Sequence, residues 1–353
     1  KRQILLRVKN SLQDASAMRL TILMELCMLT RLRVTCLRCQ TRMNKAGMEV
    51  GMRVVFMGTP DFAVATLEDI INAGHIVEAV VTQPDKPKGR GGAVAMSPVK
   101  ETALEHGIEV LQPVKVKNDN EFYERMKQID PDVIVVVAFG QILPDSILEL
   151  PKYGCINVHA SLLPAYRGAA PIQWAVIDGL EETGVTTMQM DHGLDTGDII
   201  MQSRIRLDAK ETGGSLFDRL SSEGGRLLVK TLEAVENGTA TRTKQDDSLS
   251  NYAKMLTKSL GNIDFNEGAV NIERLIRGLN PWPSAYTHLN GKTLKIWEAD
   301  VCECNDDNMK PGTVFNVTKD GFCVKCGKDA LSIGEVQLEG KKRMASDAFF
   351  PFP

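Results

Sequence analysis

Short apolar runs and amphipathic stretches alternate along residues 53–240. Val54-Val55-Phe56-Met57 is closed by Gly58, the pattern of a parallel strand buried on both faces. Val64, Leu67, Ile70 and Ile71 then fall on one face of a helix that Asp61 can cap and Gly74 can stop. Val77–Val81 predicts a second strand. Ser97-Pro98 opens another helix, with serine as cap and proline at the first helical position. A brief strand is expected at Ile108–Leu111, a helix at Glu121–Ile129 and a wholly apolar strand at Val133–Phe139. Further strands are expected at Cys155–Val158, Val185–Met190 and Ile199–Ile205, then a helix over about Ser215–Asn237. Strands separated by helices predict an α/β fold, a Rossmann-like parallel sheet with right-handed crossovers.

The texture changes after Thr239–Ser250, which is polar and turn-rich. Short alternating strands follow at Thr293–Trp297, Gly312–Val317, Phe322–Lys325 and Leu331–Val336, punctuated by Asn290-Gly291 and Asp320-Gly321. This pattern predicts a small β-barrel, which resembles an OB-type module. The expected division is an atypical basic segment at 1–51, an α/β domain at 52–240, a linker at 241–259 and the barrel at 260–353.

Composition narrows the class. Apolar runs such as Val133–Phe139 fall far short of the roughly 18 residues that span a bilayer, so no membrane is expected. Eight cysteines in 353 residues do not make a disulfide framework, and a reducing compartment is the simpler setting. Cys36-Leu-Arg-Cys39 and Cys323-Val-Lys-Cys326 each have half a zinc spacing, but Cys302-Glu-Cys304 does not complete a site. They read as ordinary thiols, and the five histidines show no ligand spacing, so no metal is expected.

Net charge is −3, unevenly spread. Residues 1–51 hold ten Lys/Arg against three Asp/Glu, so the remainder carries −10. Any nucleic-acid contact must therefore use local basic patches. The N-terminal segment reads as an upstream extension, with Met52 as the natural start; an arginine-rich transit peptide is the alternative.

The first strand-to-helix turn, Gly58-Thr-Pro60-Asp-Phe-Ala63, places proline where a dinucleotide fold needs glycine, which argues against nicotinamide. Asn157-Val-His159 ends a strand, and residues two apart share a face. An amide donor beside an imidazole suits acyl transfer, where charge develops on a carbonyl oxygen. The alternative is that both side chains merely cap loop backbone. Asp191-His-Gly-Leu-Asp195-Thr-Gly197-Asp198 could supply a carboxylate to orient the ring, or could be a solvated turn.

Asn157, His159, Ser161-Leu162-Leu163-Pro164 and the later Asp195 together resemble the folate-dependent formyltransferase signature. Gly58-Thr-Pro-Asp-Phe62, Gln83-Pro-Asp-Lys-Pro87, Gly168-Ala-Ala-Pro-Ile-Gln173 and Asn280-Pro-Trp-Pro283 are similar to the branch of that family acting on methionyl initiator tRNA. The likeness covers about Met52–Phe349 and fades at Phe350–Pro353, where such enzymes usually continue.

The resemblance implies a formyltransferase domain before the barrel. It makes Asn157, His159 and Asp195 a catalytic trio, with Ser161, Leu162, Leu163 and Pro164 bordering the folate. Val136–Gly140 and the Leu194-Asp195 loop are expected as further walls. The donor would be 10-formyltetrahydrofolate, without a metal. The glycine-rich basic loop Gln83–Ser97 would enter the acceptor stem, with Arg90 the reader and Lys86, Lys88 and Arg167 beside it. Lys341-Lys-Arg343 is the barrel's only dense basic cluster. A cytoplasmic monomer is expected, or an organelle-matrix protein if residues 1–51 are a transit peptide. Formylation of a nucleotide sugar or purine precursor, formyl-folate hydrolysis and non-catalytic RNA binding remain as rival readings.

Overall fold

The computed structural model describes residues 51–88, 93–306, 308–319 and 321–349. The expected N-terminal extension, Cys36 and Cys39, the loop tip with Arg90, and residues 350–353 lie outside the described residues.

The chain starts with β1 (Arg53–Gly58), α1 (Phe62–Asn72) and β2 (Ile76–Val81). Two short strands, β3 (Lys86–Lys88) and β4 (Ala93–Ala95), precede α2 (Pro98–Glu105) and β5 (Glu109–Leu111). Then come α3 (Asn120–Ile129), β6 (Val133–Val137), α4 (Asp145–Leu148) and β7 (Cys155–His159). The two-residue β8 (Arg167–Gly168) and α5 (Pro171–Ile177) lead to β9 (Glu182–Gln189), β10 (Ile199–Arg206) and the long α6 (Gly213–Glu236). Seven strands form one sheet in the order β10-β9-β7-β6-β1-β2-β5. The parallel sheet that the sequence predicts comprises β5, β2, β1, β6 and β7. Its edge is extended by β9, antiparallel to β7, and β10, antiparallel to β9. No helix separates those two strands, and so short a connection returns the chain antiparallel.

Strand alternation divides the core into two layers. Val54 and Phe56 of β1, Val133, Val135 and Val137 of β6, and Ile156 and Val158 of β7 pack on one face with α1 and α6. Val55, Met57, Ile134, Val136 and Cys155 pack on the other with Phe122, Met126 and Ile129 of α3. Phe56 and Met57 are both fully buried, worth about 1.5–3 kcal/mol each by transfer from water. This two-sided burial is why the strands read as unbroken apolar runs.

The helix starts follow local chemistry in one case and not in the other. The Ser97 hydroxyl caps α2 by accepting from the Lys100 amide at 3.2 Å. Asp61, expected to cap α1, makes no such bond; the turn closes instead through the Ala63 amide to the Pro60 carbonyl at 2.9 Å. The segment read as a loop at 82–96 has structure at its base, where β3 and β4 pair antiparallel.

After β11 (Tyr252–Ala253) and α7 (Ala269–Gly278) come β12 (Ala285–Leu289), β13 (Lys292–Cys302), β14 (Val314–Thr318), β15 (Gly321–Lys325), β16 (Ala330–Leu338) and β17 (Met344–Ala345). They form an antiparallel sheet, β12-β13-β16-β15-β14 with β17 on β16, in the OB-like arrangement expected. Register shifts at Glu298 in β13 accompany its inner residues Leu294, Ile296 and Ala299, which pack with Ile272 and Ile276 of α7. A smaller cluster of Ala170, Leu256 and Leu279 joins α5 to this module. Among the described residues no helix is long and apolar enough to cross a membrane.

Candidate active site

The parity that builds the core also builds the site. Cys155 packs in the second layer, so Asn157 and His159 point to the same face, two and four residues further on. There they meet Asp195. The Asn157 side-chain amide donates to Asp195 Oδ1 at 3.4 Å, and His159 Nδ1 lies 3.7 Å from Asp195 Oδ2. The second distance is that of an ion pair rather than a hydrogen bond. All three side chains are buried or nearly so.

The ring of His159 has a defined orientation. Its Nε2 lies 2.9 Å from the Tyr166 carbonyl, which can only accept, so Nε2 carries a hydrogen. Nδ1 is then the nitrogen turned toward the carboxylate. The Tyr166 hydroxyl donates to Asp178 at 2.8 Å, and burial together with that bond pushes its phenol up to about 12.

Asp195 is held from several directions. It adopts φ +55°, a left-handed conformation that aspartate tolerates better than most residues. The Gly168 amide donates to its Oδ2 at 2.9 Å. Gly197 must be glycine, because a Cβ there would collide with the Gln189 carbonyl. Asp191 shapes the same loop by accepting from the Gly193 amide (3.0 Å) and the Thr196 hydroxyl (2.7 Å). His192 is exposed and touches Asp145 at 3.4 Å, joining this loop to the start of α4.

The other expected site residues are distributed unevenly. Ser161 is buried and donates its hydroxyl to the Ala165 carbonyl at 2.7 Å, so it braces the turn. Leu163 is buried, its amide and carbonyl held by Thr186 (3.1 Å) and Gln202 (2.8 Å), while Leu162 and Pro164 are half-buried. Lys86 is exposed on β3, and the backbone of Lys88 belongs to the same strand. Arg343, itself exposed, pairs with Glu335 and lies over the Trp297 ring, and Lys341 and Lys342 are exposed beside it.

Arg167 differs from expectation. Only 8% exposed, it donates Nε and Nη2 to Gln245 Oε1 (3.1 and 2.8 Å) and Nη2 to Asp247 (2.8 Å). Its guanidinium faces these two protein partners. The segment that carries Gln245 was expected as a linker, yet it is stitched to the α/β domain. Arg242 donates to Gln189 (2.8 Å), Thr243 pairs with Ile199, Asn251 binds the Tyr166 amide, and β11 pairs with β8. Gln245, Asn251, Thr186 and Gln202 were invisible in the sequence because no periodicity or motif marks them. Among the described residues no group of three or more His, Cys, Asp or Glu could hold a metal ion.

A polar donor pair and a carboxylate thus meet at the carboxyl end of a parallel strand on a Rossmann-like fold, an arrangement suited to group transfer. The model of the formyl transferase family matches residues 52–232, and that of the formyl transferase C-terminal domain matches residues 255–351. The chain belongs to the formyl transferase family. It is 64% identical over 302 residues to the methionyl-tRNA formyltransferase of Lachnospira eligens, covering 84% of this chain and 96% of that protein. With the enzyme of the same name from Clostridioides difficile the identity is 53% over 293 residues, covering 83% and 94%. In fold it resembles an N-formyltransferase of Helicobacter canadensis solved with folinic acid and dTDP-3-aminofucose (TM-score 0.58, 21% identity, 80% of this chain and 99% of that one). It also resembles HypX of Aquifex aeolicus (TM-score 0.58, 17% identity, 85% and 47%).

Proposed function

We propose that this chain transfers the formyl group of 10-formyltetrahydrofolate to the α-amino group of methionyl initiator tRNA. The observation that carries the chemistry is the Asp195 carboxylate between Asn157 and His159. Relatives matched over nearly their whole length, at 64% and 61% identity, support charged initiator tRNA as the acceptor.

In this reading the neutral amine forms a bond to the formyl carbon, charge gathers on the formyl oxygen, and the bond to the carrier nitrogen breaks as the proton lost by the amine is delivered to that nitrogen, releasing tetrahydrofolate. Asn157 and the protonated Nδ1 of His159 are the donors for that oxygen. Because the Tyr166 carbonyl occupies Nε2, proton traffic passes through Nδ1. Asp195 balances the ring's charge and keeps Nδ1 aimed into the cleft. A positioned donor of this kind lowers the barrier by about 2.7–4 kcal/mol.

The carrier fits an apolar boundary. Ile142 and Leu194 are 82% and 55% exposed, on the two loops that His192 and Asp145 join. Apolar groups beside a few directional polar ones suit a folate's rings. We assign Ser161–Pro164 and Val136–Gly140 to the rest of that boundary. For the tRNA we assign Lys86 and Lys88 of β3 together with Arg90, and exclude Arg167. Lys100 neutralises the neighbouring Asp85 at 2.6 Å, which leaves the hairpin basic. The protein acts as a monomer in the cytoplasm, and no metal takes part.

The test is incubation with 10-formyltetrahydrofolate and charged initiator tRNA. Formylmethionyl-tRNA should accumulate, and Asn157→Ala and His159→Ala should each lower kcat by about 100- to 1000-fold. Near-normal turnover in either variant removes the trio. Tetrahydrofolate release without formylated tRNA makes the protein a hydrolase instead.

A further inference from the structure

We propose that Gln245 is a positioning residue for Asp195, and that Arg167 fixes the amide of Gln245 in the orientation this requires. The inference rests on the reading of Asp195 as catalytic.

Gln245 is only 7% exposed, so its amide must find partners inside the protein. A guanidinium offers donors alone and therefore draws Oε1 toward itself, at 3.1 and 2.8 Å. The Nε2 group is left facing the loop, where it donates to the Asp195 carbonyl (2.9 Å) and the Gly197 carbonyl (2.7 Å). A flipped amide would set donors against donors and an oxygen against two carbonyls. The two bonds bracket Thr196 and clamp the turn that holds Asp195 at its left-handed φ. The residue after Arg167, Gly168, holds the carboxylate of the same aspartate through its amide. One dipeptide thus governs Asp195 twice, through the main chain by way of Gln245 and through the side chain directly. Gln245 makes no hydrogen bond to a side chain of the trio, so its effect on the reaction passes through Asp195. The residue belongs to the segment between the two modules, which makes the catalytic carboxylate depend on how that segment is seated.

The test is a double-mutant cycle. Gln245→Glu and Gln245→Leu are each made in the unaltered chain and in Asp195→Ala protein, with kcat, both KM values and the thermal midpoint measured. Gln245→Glu keeps the volume and the acceptor for Arg167 but sets an oxygen against the two carbonyls, whereas Gln245→Leu removes the polar groups altogether, so the two variants lose the donors by different routes. Arg167→Lys, which cannot present two donors to one oxygen in the same way, is a third arm. We expect kcat to fall about 10- to 100-fold in each single variant, the loss typical of a catalytic group displaced by about 1 Å, with KM near its original value. In Asp195→Ala protein the same substitutions should change kcat by no more than about 2-fold. An equal loss in both backgrounds overturns the proposal, because a merely structural glutamine would act independently of Asp195. Full kcat in Gln245→Glu protein also overturns it. An inactive unaltered chain, or Asp195→Ala protein that retains full activity, would instead count against the function proposed above.

Discussion

Replacing Gly168 with alanine perturbs the site without touching a side chain of the trio. Gly168 has φ +111°, where any other residue is strained by about 1–3 kcal/mol. The new Cβ would meet the Tyr252 ring and would lie 2.9 Å from the Ala253 carbonyl. The ring is 57% exposed and can swing aside. The carbonyl cannot, since it is main chain and already accepts from the Ala169 amide at 3.0 Å. The β8–β11 pairing must therefore yield, and the Gly168 amide moves away from Asp195 Oδ2. A hydrogen bond to a charged group is worth about 1.5–3 kcal/mol. At about 1.4 kcal/mol per decade, its loss from the transition state predicts a kcat lower by about 10- to 100-fold. The thermal midpoint should fall on the order of 5 °C. Steady-state formylation kinetics with a calorimetric melt read both quantities. Unchanged kcat together with an unchanged midpoint would show that neither the strain nor the amide donor matters as reasoned.

Three further outcomes are expected. Burial pushes the Cys155 thiol up to about 12, so at pH 8 only about one molecule in ten thousand carries the thiolate. Iodoacetamide should leave it unlabelled in folded protein, and stoichiometric labelling at the rate of a free thiol would contradict that burial. The hydrogen bonds from Lys100 and then Gln112 hold the Asp85 carboxyl below its ordinary 3.8, so its stabilising effect is complete above that pH and is lost as pH falls through the lowered value. Amide exchange around Ser97–Lys100 should be faster in Asp85→Asn than in the unaltered chain at pH 6, and the gap should close as pH falls through the lowered value; a gap that does not change with pH points to another cause. Arg90→Ala should weaken tRNA use and flatten its salt dependence by a slope of about 1 while leaving the folate KM unchanged; equal damage to both substrates would rule out a recognition role.

Much of the fold was legible in the chain because burial writes itself into periodicity. The runs at β1 and β6 announced two-sided strands, and Ser97-Pro98 announced α2 through short-range hydrogen bonding that needs no distant partner. The same parity placed Asn157 and His159 on one face, and family resemblance added Asp195. Asp61 shows the limit of local reasoning. Its side chain is able to cap a helix, but the preceding turn satisfies the amides first.

What the sequence by itself determined was the set of short-range choices: strand, helix, turn, and the pair of side chains that share a strand face. Only the tertiary structure decided how Asp195 is oriented, which nitrogen of His159 faces it, that Arg167 is buried against Gln245, and that the polar segment near Gln245 packs beside Asp195. Those outcomes depend on hydrogen bonds between residues 7 to 80 positions apart, from Tyr166 to His159 and from Asp247 to Arg167. A buried polar group accepts whatever complementary partner folding brings near, and composition and periodicity carry no record of that choice.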